Sequence, residues 1–157
     1  DLSYSPVESL ALSFAGTYLD PVYDEYVGAR GAVGGPAVVD RSGTKPGGIH
    51  PFSGTVSAVY MHDFANGMDG YIRGEYFFES KADLSDSFPD LKRSVNTINA
   101  SAGLNVNDSF SVQLWARNLT NDEYWNGAFA AVAQSGTISS FLSEPRTYGI
   151  TLSYGFD

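Results

Sequence analysis

Strict alternation of apolar residues with small or polar ones is the strongest regularity in this chain, and it leaves few folds open. Between residues 9 and 19 one parity holds Leu10, Leu12, Phe14, Gly16 and Tyr18, while the other holds Ser9, Ala11, Ser13, Ala15 and Thr17. The pattern recurs over 97–106, where Ile98, Ala100, Ala102, Leu104 and Val106 oppose Thr97, Asn99, Ser101, Gly103 and Asn105, and over 110–117. It is cleanest over 147–156, where Tyr148, Ile150, Leu152, Tyr154 and Phe156 oppose Thr147, Gly149, Thr151, Ser153 and Gly155. Segments 52–62 and 71–80 alternate more weakly. Successive side chains of a strand point to opposite faces, so a period of two predicts strands with unlike faces. No stretch of comparable length carries a helical stripe.

The expectation is an all-β chain: an antiparallel transmembrane β-barrel segment of six strands, each about ten residues long. The connections alternate in length. Segments 63–70, with its Asn66-Gly67 turn signal, and 107–109 are short, whereas 20–51, 81–94 and 119–144 are long. Short periplasmic turns at one rim and long extracellular loops at the other are the habit of outer-membrane barrels. Six strands that start after a turn at 5–8 also return the chain to the short-turn rim.

A soluble sandwich or lipocalin-like barrel is the alternative, with the apolar parity facing a packed core. Its outer face should then carry many Lys and Glu, but here that parity is rich in Ser, Thr, Asn and Gly. Aromatic residues gather near strand ends, with Tyr18, Phe52 and Phe78 toward the long-loop rim and Tyr60, Phe110, Tyr154 and Phe156 toward the other. That is the arrangement of two interfacial girdles. At 43% hydrophobic and 17% charged residues, the chain is too apolar to be disordered. No run approaches the ~18 uncharged apolar residues of a membrane helix. With no Cys, disulfide, zinc-thiolate and iron–sulfur chemistry are excluded. A formal charge of −9 argues against a nucleic-acid partner, which needs clustered bases.

The block Ala116-Arg-Asn-Leu-Thr-Asn-Asp-Glu-Tyr-Trp resembles the segment before the last extracellular loop of TonB-dependent outer-membrane receptors. The closing Glu144-Pro-Arg-Thr-Tyr-Gly-Ile-Thr-Leu-Ser-Tyr-Gly-Phe resembles their C-terminal strand, and weaker similarities cover 6–26 and 40–52. The resemblance implies a barrel of ~22 strands closed around a plug domain, of which residues 1–157 are the C-terminal part, with residues 1–4 ending a preceding strand. It implies TonB-coupled import of a scarce large solute such as a ferric siderophore, a corrinoid or a saccharide, in the bacterial outer membrane. The implied partners are the rest of the barrel, the plug, the TonB complex, lipid, lipopolysaccharide and the solute. Tyr154 and Phe156 match the C-terminal assembly signal, from which Asp157 departs by following the last aromatic residue. The other readings are a small non-transporting outer-membrane barrel for adhesion or scaffolding, and a soluble binding sheet.

No enzymatic activity and no cofactor are expected. His50 and His62 lie at opposite ends of one strand, about 30 Å apart, too far to share a metal or a proton. No Gly-x-Ser-x-Gly elbow occurs. Asp83, Asp86 and Asp90 lack the spacing of a calcium loop and read as a solvated acidic stretch, and the Gly-rich 31–48 segment reads as a mobile external loop. Arg73, Glu75 and Arg117 share the polar parity with Trp115, so these four are assigned to the lumen-facing wall. Bridging to one another or to the plug is the favoured role of the charges, ahead of solute contact. For the solute, the candidates are the loop aromatics Tyr26, Tyr124, Trp125, Phe129 and Phe141.

Overall fold

The computed structural model describes residues 1–131, 134 and 137–156. Asp157, and with it the departure from the assembly signal, lies outside the described residues. All regular structure is β: β1 (Leu2–Val7), β2 (Leu10–Tyr18), β3 (Ala29–Arg30), β4 (Val38–Val39), β5 (Phe52–Asp63), β6 (Asp69–Asp83), β7 (Lys92–Asn107), β8 (Phe110–Arg117), β9 (Trp125–Ala130), β10 (Ile138–Leu142) and β11 (Thr147–Tyr154). Seven of them form one antiparallel meander in the order β1-β2-β5-β6-β7-β8-β11, and two hairpins, β3-β4 and β9-β10, sit in the first and last long connections. The six strands read from periodicity are all present. The expected turn at 5–8 is corrected: β1 runs through Val7, and the chain reverses at Glu8 and Ser9.

Register places the two parities on two continuous faces. Across one row, Leu12 opposes Ala58, Ala58 opposes Gly74, Gly74 opposes Ala100, and Ala100 opposes Ala116. The next rows along this face hold Phe14, Val56, Tyr76 and Ile98 on one side and Tyr60, Ile72, Ala102, Leu114 and Ile150 on the other. No charged residue interrupts these rows. Arg73 and Glu75 belong to the opposite parity, facing Val59 and Ser57 on one neighbour and Ser101 and Asn99 on the other. Three register pairs set an aromatic ring over a glycine: Phe78 over Gly54, Tyr71 over Gly103 and Trp115 over Gly149. A methyl group at any of these glycines would meet the ring, so the missing side chain lets a large residue lie flat across the strands.

The sheet has almost no core of its own. The most buried apolar side chains among the described residues are Ala29, Phe88 and Val95, all toward the long-connection end. Phe14, Val56, Ile72, Leu114, Ile150 and Leu152 are instead exposed. The chain exposes 10721 Å², whereas a folded monomer of its 16.9 kDa exposes about 7,700 Å². The excess, about 3,000 Å² of total surface, is that of a single open sheet with neither face covered. Both outer edges, β1 and β11, also lack a strand neighbour among the described residues.

Candidate functional site

The mid-sheet charges of the polar face gather in one place. Arg73 donates from Nη2 to Glu75 Oε2 at 2.9 Å, and Asn99 donates from Nδ2 to the other Glu75 oxygen at 3.3 Å. Residues two apart on a strand share a face, which is why Arg73 meets Glu75 and why Trp115 meets Arg117. The Arg117 guanidinium lies 5.5 Å from the centroid of the Trp115 ring, a cation–π distance. Trp115 is held in turn by its indole N–H, which donates to Thr151 Oγ1 at 3.2 Å. All four residues assigned to the wall from sequence line one cleft of about 250 Å³, together with Asn99 and Ser101. A second cleft of about 320 Å³, lined by Thr97, Asn99, Arg117, Asn118, Tyr124, Asn126 and Glu144, shares Asn99 and Arg117 with the first. The two form a groove rising from mid-sheet toward the last long connection.

Asn118, which sequence reasoning passed over, builds the upper end of this groove. It is buried at 7% exposure and adopts φ 49°, a left-handed conformation that Asn tolerates better than other residues with a side chain. Its backbone N–H donates to Asn99 Oδ1. Its side-chain amide donates to the carbonyls of Asp122 and Glu144 and accepts from Thr120 Oγ1 and the Asp122 N–H. Asn121 repeats the device at φ 51° and accepts the Arg146 N–H. The turn then lies against β7, with Leu119 N–H on the Ile98 carbonyl and Asp122 accepting the Asn96 N–H. Two Asn three residues apart next to an acid were the available signal, since both side chains cap turns and permit positive φ.

The five loop aromatics do not converge on one place, and only Phe129 and Phe141 among them meet ring to ring. Tyr26 packs on Tyr23 at 4.9 Å. Phe129 and Phe141 pair across the β9-β10 hairpin at 5.7 Å, and Trp125 stands at its base opposite Leu142. Tyr124 is half-buried with Arg93 stacked 5.2 Å from its ring centroid, and alone of the five it lines the groove described above. Tyr154 and Phe156 meet edge to face at 5.0 Å, both strongly exposed.

A separate cluster ties the first two long connections together. Asp86 accepts the Tyr23 hydroxyl at 2.8 Å and the Gly47 N–H at 2.6 Å, faces the Arg41 guanidinium at 3.6 Å, and offers Arg41 its backbone carbonyl. The hydrogen bond to Asp86 raises the Tyr23 pKa above its ordinary value. Gly47 passes so close to the backbone of Ser85 and Asp86 that any Cβ would collide. The 31–48 segment, expected to be mobile, is thus pinned, with further bonds from Val33 N–H to Ser87 O and Gly48 N–H to Asp83 O. Asp83 pairs with Lys92 instead, so the three acids of this connection do not converge. Among the described residues no group of His, Asp and Glu side chains is arranged to hold a metal. His50 donates from Nδ1 to the Ser80 carbonyl and lies 3.4 Å from Glu79, which also accepts Arg93 at 2.7 Å. Compared with models of known families, with curated proteins and with solved structures, the chain matches none.

Proposed function

We propose that this sheet is the C-terminal wall of a TonB-coupled outer-membrane receptor, with its apolar face to lipid and its polar face to a plugged lumen. The observation that carries the reading is the pairing of a charge-free apolar face with an opposite face holding Arg73, Glu75 and Arg117. A single Arg turned toward lipid at mid-depth costs ~2–4 kcal/mol, so this division is what a membrane strand requires. Along β5, Phe52 and Tyr60 mark the ends of the apolar band, about 26 Å apart along the strand and about 20 Å after a 40° tilt. With the rings of both girdles this fills most of a ~25 Å band. The exposed apolar side chains of one face and the open edges at β1 and β11 fit a sheet continued on both sides and covered by lipid. On this reading the polar groove is solute- or plug-facing, and the long connections form the outer vestibule.

Side-specific labelling of the intact protein tests the orientation. Asp90→Cys, in the tied 81–94 connection and more exposed than its neighbour Ser87, should react with an impermeant maleimide on whole cells. Asn66→Cys, on the exposed short turn, should react only after the outer membrane is opened. The reverse pattern overturns the orientation, and labelling of a protein released without detergent overturns the membrane reading altogether. A plug domain encoded upstream separates the receptor from a small adhesive barrel.

A further inference from the structure

Three arginines stand on the strands of the polar face or its upper margin, and only one has no carboxylate among the described residues. Arg73 is paired with Glu75, and Arg93 with Glu79. Arg117 makes no ion pair and no hydrogen bond from its guanidinium to another described residue; its one partner is the Trp115 ring. Glu75 is committed to Arg73 and Asn99, and Glu144 lines the upper cleft without reaching ion-pair distance of Arg117. The Trp115 indole, anchored to Thr151, lies beside the guanidinium, and Arg117 is exposed and lines both clefts of the groove.

We infer that Arg117, braced by Trp115, is a carboxylate-receiving site in the wall of the groove, an inference that rests on the receptor reading above. A guanidinium matches a carboxylate with two parallel hydrogen bonds, and stacking on an aromatic ring costs it none of those donors. Once a plug or solute covers the groove, a guanidinium left without an acceptor is strongly disfavoured, so the covering group must supply one. Ser101, in the same cleft, adds a neutral hydroxyl donor, while Asn99 is already engaged with Glu75 and Asn118. Glu75 and Glu144 in the two clefts select against a phosphate dianion, whose second charge they repel, and favour a singly charged carboxylate. The carboxylate belongs either to the transported solute or to an acidic side chain of the plug.

The test uses the intact receptor in detergent, with acetate as the singly charged carboxylate probe, phosphate as the anion control and matched ionic strength. If the solute supplies the group, acetate raises the unfolding midpoint of the wild type, and Arg117→Met weakens the apparent affinity for acetate about tenfold or more. Arg117→Lys, which keeps the charge and loses the planar fork, recovers only part of it. If the plug supplies the group, acetate has no effect, while Arg117→Met alone exposes the plug to protease in the absence of any ligand. Either result supports the site. An unaltered plug together with an acetate response that survives Arg117→Met, or phosphate acting as strongly as acetate, overturns it. Absence of both acetate response and plug exposure overturns it as well. The maleimide pattern at positions 90 and 66 is independent of all these outcomes, so loss of the site leaves the receptor reading intact.

Discussion

The long-connection end of the molecule is organised twice, by two side chains of nearly equal size and different charge. Asp86 draws together the 20–51 and 81–94 connections through a tyrosine hydroxyl, a backbone N–H and a guanidinium. Asn118 joins the start of the last long connection to its end, near Glu144, through backbone carbonyls, a hydroxyl and a backbone N–H. The first hub is ionic and part-exposed; the second is neutral, buried and dependent on a left-handed residue. A carboxylate suits loops that must be pulled in from solvent by charge. A carboxamide suits a turn that is packed against a strand, because it satisfies donors and acceptors together without burying a charge.

The contrast breaks most visibly at Asn118. Asn118→Ala removes four side-chain hydrogen bonds and places Ala at positive φ, which together should cost about 3–4 kcal/mol in urea unfolding of the intact protein. Asn118→Gly keeps the backbone freedom and should be milder by about 1 kcal/mol. An unaltered urea midpoint would remove Asn118 from the architecture. A smaller effect is expected from Asp86→Ala, about 1–2 kcal/mol and confined to the loops, with faster protease cleavage within 20–51 and no change in the strands. High salt should mimic it in part by screening the Arg41 pair and should leave the Asn118 turn untouched. Equal salt sensitivity at both hubs would erase the distinction.

The smallest effect is spectroscopic. Because Asp86 raises the pKa of Tyr23 above the ordinary value of 10.0, the contact is fully present below that pH and is lost as the pH rises through the raised value. The difference spectrum between the wild type and Tyr23→Phe should therefore show a tyrosinate that ionises late. In Asp86→Ala that titration should move back toward the ordinary value, and failure to move would place the cause elsewhere.

How much of this was legible depended on which force held each part. Segments 9–19, 110–117 and 147–156 were readable because an apolar face imposes a period of two on the residues themselves. The upper parts of β6 and β7 were not, because Lys81 to Asp83 and Lys92 to Arg93 are held by strand pairing and ion pairs and show no apolar alternation. The β9-β10 hairpin escaped notice for a related reason: Gly127, Ala128, Ser139 and Ser140 supply register without bulk. Arg73, Glu75, Trp115 and Arg117 could be placed on one face by counting in twos, and the structure gathers them into one cleft. The scattered loop aromatics could not be placed, since no local periodicity says which ring meets which.

The number of strands in the main sheet is odd, with β1 at one edge and β11 at the other. In an antiparallel meander, the first and the seventh strands therefore run in the same direction. Joining those two edges directly would create a parallel pair with slanted hydrogen bonds in an otherwise antiparallel ring. Two copies joined edge to edge with antiparallel seams would have to insert in opposite orientations, one of them presenting its long loops to the wrong side. An all-antiparallel barrel that keeps one orientation must add an odd number of further strands between β11 and β1, and fifteen would complete a ring of about 22. Within the receptor proposed above, strand arithmetic thus agrees with a sheet that is one part of a larger all-antiparallel wall.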